Sequence, residues 1–536
     1  MRQYTNEEMV LGDLLQEKSR NYPNRVFVRF HDTELTFYEF NEMVNRAAHG
    51  LSNLGVSKGD KVAIMLPNCP EFLYTTFAIA KLGAIEVPIN TAYKGDLLEH
   101  IINSSDSTYL VVEDEWVDRV ITVEPRLKKL HSVVVRAKAN LKPVGYGLSK
   151  QTLDFSSLMS KSAREPNVDV SHGDLQAIMY TSGTTGASKG VMVSHAHAMT
   201  CGLDWLKYTN FQRDEILYCP LPLFHGVGLW CGVMAALLSE SCICIVDRFS
   251  ASSFWPDIRR FKANVSLGIF SMIPILLNQP SGPDDKNHTL RAFYLGQSAM
   301  DQPLNERFGV RSVEIYGSTE LGIGTGSPYG EWRPGSCGQV NTDSYDVRVV
   351  DEFDRELPPG QPGELVVRPV KPFVMTTGYY NFAEATSSAF RNLWFHTGDR
   401  AYRDEDGYFF FVDRVKDAMR RRGENISSFE VERGVNAHPA VLESAAIAVP
   451  SELGEDDVKV CVVLHTNENL APEELLAFCE ERMAYFMVPR YLEFIDALPK
   501  TPTEKIEKYK LRTAGQNGIT AGTWDREKAG YKIKRG

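Results

Sequence analysis

The chain has 536 residues, too many for one ordinary hydrophobic core, so two or more domains are expected. Its composition is that of a soluble globular protein, and a formal net charge of -11 argues against a nucleic-acid surface, which needs a concentrated basic face. Nine cysteines, an odd number with no CxxC pair, speak against a disulfide framework or a structural zinc site, and a reducing cytoplasm is the simplest setting.

The opening MRQYTNEEMV is acidic where a secretion signal is basic and then apolar, and the closing KIKRG matches no targeting address. Thr5 with Glu8 makes a capping-box pattern that predicts a first helix ending near Pro23, and Thr36 with Glu39 predicts a second, reaching about Gly50. A strand over 61–66, a helix over 71–82 stopped by Gly83 and a strand over 85–87 give βαβ alternation, hence parallel layered sheets.

Apolar residues 177–179 and 191–194 read as strands flanking the run YTSGTTGASKG at 180–190. Gly183 and Gly186 let the backbone turn its N–H groups toward an anion, Thr181, Ser182, Thr184 and Thr185 add hydroxyl donors, and Lys189 adds a charge. This suits a polyphosphate. It is not a Walker loop, because Ser188 precedes the lysine and Gly190 follows it. Taken alone, the run is equally well a Ser/Thr/Gly surface loop.

Residues 216–239 carry no Asp, Glu, Lys or Arg, but Pro220, Pro222, His225 and several glycines interrupt them, which suits core better than a membrane span. Further strands are expected over 243–246, 265–269, 292–295 and 313–316. Past about residue 344 the pattern becomes strands and tight turns: 345–350, LPPG at 357–360, 364–368, and DEDG before 408–413, a β subdomain. Beyond Lys416 come a helix opened by Ser427 and Glu430, strands over 445–449 and 458–464, and a helix from Pro472. The expected division is an N-terminal domain over 1–415, a C-terminal domain over 416–512 and a docked or loose tail over 513–536, with no internal repeat.

Four segments stand in order along the chain: YTSGTTGASKG, YGSTELG at 316–322, WFHTGDRAYRDEDGYFFFVDRVKD at 394–417 and LPKTPTEKIEKYKLR at 498–512. Singly, each has a plainer reading as a turn, a solvated cation or an exposed Lys/Glu face. Together they resemble the adenylate-forming superfamily of acyl-CoA synthetases, luciferases and peptide-synthetase adenylation domains, over residues 10–512. The fold so implied is α/β, a large N-terminal domain of layered α/β sheets with a β subdomain, followed by a small mobile α+β C-terminal domain.

The resemblance also implies roles. Thr181 to Lys189 hold phosphates, Tyr316 stacks on adenine beside Gly317, Thr319 meets the nucleotide phosphate and Glu320 holds Mg²⁺. Asp399 binds the ribose hydroxyls, with Arg414 near ribose and phosphate. Gly296, Gln297 and Ser298 line the adenine and acyl pocket, and His225 stands beside the substrate carboxylate. Lys416 is the pivot of a hinge, Arg420 and Asn425 meet carboxylate or nucleotide, Gly423 serves the second state, and Lys505 enters during adenylation. The family commonly has proline at Ser188 and glycine at Glu504.

The activity implied is AMP-forming ligation of a carboxylic acid to coenzyme A, using ATP and Mg²⁺, with no nucleic-acid partner and with a homodimer left open. RRRGEN, the ensuing ISS and the PTEK ending are most similar to bacterial crotonobetaine and carnitine CoA ligases, while fatty acids remain an alternative. For a quaternary ammonium substrate, Trp230 is the candidate cation–π face. The rival readings are an acyl-AMP ligase serving a carrier protein, a luciferase-like oxygenase, and a catalytically silent nucleotide-binding regulator.

Overall fold

The computed structural model describes residues 2, 4–137, 147–181, 188–269, 272–294, 300–331, 333–414, 418–421, 423–452, 454–466, 468–499, 506 and 508–533. The chain divides into two units: Met1–Thr91, Ile101–Tyr180 and Gly190–Asp413 form the first, and Ala92–His100, Thr181–Lys189 and Arg414–Gly536 the second. No linear boundary anticipates the two short excursions of the second unit.

The first unit is layered α/β. One seven-stranded sheet runs, in spatial order, Arg311–Val313, Ala292–Tyr294, Val265–Leu267, Ile216–Cys219, Cys242–Ile245, Val26–Phe30 and Thr33–Thr36, parallel except for the closing hairpin. A second seven-stranded sheet runs Gln151–Asp154, Ser132–Arg136, Tyr109–Glu113, Lys61–Met65, Ile85–Pro88, Leu175–Thr181 and Lys189–Ser194. Parallel strands need crossovers and cover on both faces, which the intervening helices supply. An antiparallel β subdomain follows, built on Tyr345–Val350, Gly363–Pro369 and Trp394–Arg403.

Two capping patterns have different outcomes. Thr36 and Glu39 close a complete capping box on the helix Phe37–Leu54. That helix passes Gly50 and stops at Gly55, whose φ of +106° is left-handed. Gly50 is glycine for another reason: a Cβ there would stand 1.8 Å from the carbonyl oxygen of Leu158. Thr5 donates its N–H to the Glu8 carboxylate at 2.8 Å, but only a turn results. Met9 and Val10 are buried, with Val10 extended, so the helix starts at Leu11 and runs to Asn21.

The strand expected over 313–316 is two strands. Arg311–Val313 ends the parallel sheet, and Ile315–Ser318 pairs antiparallel with Gly322–Gly326, so the chain changes sheets at Glu314. The charge-free stretch is core, as a strand Ile216–Cys219, a π-helix Val227–Met234 and a helix Ala235–Ser239. No helix among the described residues is long and apolar enough to cross a membrane. All nine cysteines are buried and free.

The second unit is α+β. Val441–Pro450, Asp456–Leu464, Tyr491–Phe494 and Trp524–Asp525 form a four-stranded sheet, with helices Ser428–Asn436, Pro472–Glu480 and Lys508–Thr513. The last residues are part of it. Trp524–Asp525 supplies the fourth strand, and Arg526, 4% exposed, donates to the carbonyls of Val488 and Pro489.

Candidate active site

Five residues singled out by the sequence are described in the first unit, four on one strand and the turn after it and one within a second strand: Tyr316, Gly317, Thr319, Glu320 and Asp399. Tyr316 and Gly317 lie on the strand Ile315–Ser318, and Thr319 and Glu320 in the turn that returns to Gly322–Gly326. Two features tighten this turn. Leu321 is fully buried, and Gly317 lies so close to the returning strand that a Cβ would meet the Gly322 carbonyl oxygen at 2.1 Å.

The Tyr316 hydroxyl donates to Oδ2 of Asp399 at 2.8 Å, across 83 residues of sequence. Burial pushes the Tyr316 phenol well up, so it keeps the proton it donates. Asp399, 8% exposed, also has its backbone N–H on Thr397 Oγ1 at 3.1 Å. A carboxylate offers two oxygens, so as a residue type it can accept several hydroxyl donors at once.

Glu320 is held by a segment that the sequence reading passed over. The Thr376 N–H donates to the Glu320 carbonyl at 2.7 Å, and the Tyr379 hydroxyl to Glu320 Oε1 at 3.0 Å. The same segment grips the strand leaving the 180–190 loop: Met192 N–H to Gly378 O at 2.9 Å, Tyr380 N–H to Gly190 O at 2.8 Å, and Thr376 Oγ1 to Met192 O at 2.9 Å. Residues 376–380 therefore strap one motif to the other. The only local signal for them in sequence is Gly378, whose φ is +129°.

Glu320 Oε2 carries no hydrogen bond, and no ion pair reaches the carboxylate, among the described residues. Such an open oxygen fits Mg²⁺, which takes one or two carboxylates and completes its shell with water and phosphate oxygens. No group of three or more His, Cys, Asp or Glu side chains able to hold a metal occurs among the described residues. A single carboxylate oxygen suits an ion whose shell is completed by water and phosphate oxygens.

His225 stands just before the π-helix, its ring 4.7 Å from that of Phe224 and its carbonyl accepting from Leu229 at 3.1 Å. These contacts do not join it to Asp399 or Glu320. Trp230 is 2% exposed; Gly226 lies against its ring, where a Cβ would be 2.8 Å from Cε3, and the His197 ring is 5.3 Å away. The ring is packed by protein, which counts against the cation–π face expected of it.

Thr181 ends one strand and Lys189 begins the next, on either side of the loop. Ser182, Gly183, Thr184, Thr185, Gly186, Gly296, Gln297, Ser298, Lys416, Glu504 and Lys505 lie outside the described residues, as do the side chains of Arg414 and Asn425.

Within the second unit Arg420 pairs with Asn425 in the hairpin Ala418–Arg421/Glu424–Ser427, and its N–H donates to Asp456 Oδ2 at 2.8 Å. Its neighbour Arg421 is 4% exposed and paired with Asp457 at 2.9 Å. Gly423 turns the hairpin at φ +78°. Ser188 is also buried here. Its carbonyl accepts from His100 Nε2 at 2.9 Å, its N–H donates to Glu430 Oε1 at 3.2 Å, and its hydroxyl donates to the same oxygen.

Comparisons with known proteins show the family of the chain as a whole. The pattern of the AMP-binding enzyme family matches residues 15–380, and that of the AMP-binding enzyme C-terminal domain residues 430–505. The crotonobetaine/carnitine–CoA ligase of Citrobacter koseri is 34% identical over 523 residues, covering 94% of this chain and 98% of its own, and that of Salmonella typhi 34% over 489 residues, covering 89% and 93%. Among solved structures, an anthranilate CoA ligase, AuaEII, in complex with anthranoyl-AMP has a TM-score of 0.70 at 26% identity, covering 96% of this chain and 98% of that one. ATP-bound MatB from Rhodopseudomonas palustris has a TM-score of 0.67 at 27% identity, covering 94% and 98%. The chain belongs to the AMP-binding, adenylate-forming enzyme family, and within it to the AMP-forming acyl-CoA ligases.

Proposed function

We propose that this ligase activates a small betaine acid of the carnitine or crotonobetaine type. The carboxylate oxygen attacks the α-phosphorus of ATP and pyrophosphate leaves; the thiol sulfur of coenzyme A then attacks the acyl carbonyl and AMP leaves. The observation that supports the nucleotide half is the Tyr316–Asp399 hydrogen bond, which holds a nearly buried carboxylate, a group able to accept two hydroxyl donors at once, beside the strand that carries the second motif. The substrate half rests on the near-full-length similarity to the betaine ligases.

In this reading Asp399 accepts the ribose hydroxyls, and Tyr316 sets that carboxylate while presenting its ring to adenine. Residues 181–189 and Thr319 take the phosphates, and Gly296, Gln297 and Ser298 line the adenine and acyl pocket. His225 stands beside the substrate carboxylate, and Arg414, Arg420 and Asn425 meet nucleotide or carboxylate as the C-terminal domain pivots at Lys416. Glu320 would hold Mg²⁺, which when bound screens charge on the phosphate oxygens. Lys505 offsets the repulsion between the carboxylate and the α-phosphate as they approach.

AMP release dependent on both ATP and coenzyme A, compared across betaine, short-chain, aromatic and long-chain acids, tests the assignment. The betaines are expected to turn over fastest. Preference for another class removes the substrate half, and acyl-adenylate formation without thioester favours delivery to a carrier protein. Lys505→Ala is expected to abolish adenylation while sparing thioester formation from preformed acyl-adenylate.

A further inference from the structure

Tyr379 stands outside every motif that carries the nucleotide chemistry, yet it is the one side chain among the described residues that donates to the Glu320 carboxylate. It is not a loosely placed surface phenol. Its own N–H donates to Thr386 Oγ1 at 2.9 Å, and it is bridged to Val191 in antiparallel fashion. Its neighbour Gly378 is pressed onto Thr386, where a Cβ would stand 2.6 Å from Cγ2. The backbone of the tyrosine is thus clamped on both sides.

Glu320 sits in the three-residue turn 319–321, and a glutamate there has three side-chain torsions to fix before either oxygen has a defined place. One oxygen is fixed by Tyr379; the other has no partner among the described residues. The main chain of the same glutamate is fixed by Thr376, three residues before that tyrosine, and Thr376 is bonded in turn to Met192. Carboxylate and phosphate-loop exit are thereby held to one short segment.

We infer that Tyr379 is a positioning residue for the nucleotide-borne cation: it orients Glu320 through Oε1 so that Oε2 is presented to the ion, and the Thr376–Tyr380 strap sets that oxygen relative to the strand leaving the phosphate loop. This deepens the proposed function and rests on its assignment of Glu320. The phenol suits the task, because its O–H donates to one carboxylate oxygen while adding no charge of its own beside the ion. A hydrogen-bonded carboxylate ligand loses affinity for its ion when the outer partner is removed, typically by about tenfold or more.

The test is ATP binding by calorimetry with no acid and no coenzyme A, so that no turnover occurs, over a MgCl₂ titration and in EDTA. Tyr379→Phe is expected to raise the Mg²⁺ concentration for half-maximal tight ATP binding by about tenfold, leaving the EDTA affinity and the melting temperature near wild type. Glu320→Gln is expected to raise it as well, and Tyr379→Phe on that background to add nothing further. An unchanged Mg²⁺ requirement in Tyr379→Phe, with the requirement shifted in Glu320→Gln, overturns the role of Tyr379 alone. An unchanged requirement in Glu320→Gln removes the assignment of Glu320 and this inference with it. An equal loss of affinity in EDTA assigns Tyr379 to the nucleotide or the fold and also overturns it. Should Tyr379→Phe fail to fold, Thr386→Val loosens the same clamp and is expected to shift the Mg²⁺ requirement in the same direction; no shift there counts against the inference.

Discussion

Ser188 gives both of its hydrogen-bond donors, the backbone N–H and the side-chain hydroxyl, to a single oxygen of Glu430, 242 residues further along the chain. Both partners lie in the second unit, Glu430 on the helix Ser428–Asn436. A proline at 188, the residue the wider family commonly carries, has neither donor. The departure noted in the sequence is therefore one half of an interaction whose other half is too distant to notice.

Ser188→Ala is expected to lower stability by about 1.5–3 kcal/mol, the range for buried hydrogen bonds to charged groups, and Ser188→Pro by more. Burial raises the Glu430 carboxyl and the Ser188 donors oppose that rise, so the alanine variant should also push the Glu430 titration further upward. Denaturant titration measures the first effect. A Ser188→Ala protein that unfolds with wild type contradicts the pairing.

Tyr316→Phe removes one hydroxyl from the ring that sets Asp399. The KM for ATP is expected to rise about five- to tenfold, with a smaller effect on the KM for the acid, since roughly 1–1.4 kcal/mol of binding is lost. Initial-rate kinetics with each substrate varied in turn check this. Equal rises for both substrates would place the effect elsewhere.

Glu86 is fully buried in a parallel strand, accepting from Thr76 Oγ1 and Gln176 Nε2 at 2.9 Å each. Burial pushes its carboxyl up to about 7. An acid whose folded value is raised binds its proton more tightly when folded, so its stabilising contribution is complete below the unfolded value and is lost as pH climbs through 7. Glu86→Gln removes that loss. Relative to wild type it is expected to gain about 1.4 kcal/mol per pH unit as pH rises from the unfolded carboxylate value to 7 and nothing further above that, read from denaturant midpoints at pH 5, 6 and 7. A constant difference across that range would contradict the assignment.

Gly50→Ala should destabilise even though alanine favours helix over glycine by about 1 kcal/mol. Its methyl group would fall 1.8 Å from the carbonyl of Leu158, and helix and loop must separate to admit it. The expected loss is about 1–3 kcal/mol, as for other overpacked sites. Thermal melting of the variant checks the sign, and a rise in melting temperature would contradict the packing.

The βαβ rhythm was legible because period and punctuation are local: the helices Phe37–Leu54 and Pro70–Lys81 and the strands Lys61–Met65 and Ile85–Pro88 each announce themselves within their own residues. Thr5 and Glu8 misled for the complementary reason. A capping pattern states what hydrogen bonds are on offer, whereas the burial of Met9 and Val10 decided where the helix begins. The motif residues of the site were legible as types, a hydroxyl- and glycine-rich loop, one carboxylate after a strand and one within a strand. The strap was not, because four of its bonds run between main-chain atoms or from a threonine to distant carbonyls, and such bonds leave almost no trace in residue identity. Tyr379 and Glu430 belong with it: each is an ordinary residue type whose meaning comes entirely from what the fold sets opposite.

The burial of every cysteine gives the native protein a quiet background toward aromatic disulfide reagents. Consumption of the cosubstrate's sulfhydryl can then be followed colorimetrically in the presence of the catalyst itself. The first colour contributed by the polypeptide reports opening of its interior, so one reagent monitors both catalysis and structural integrity.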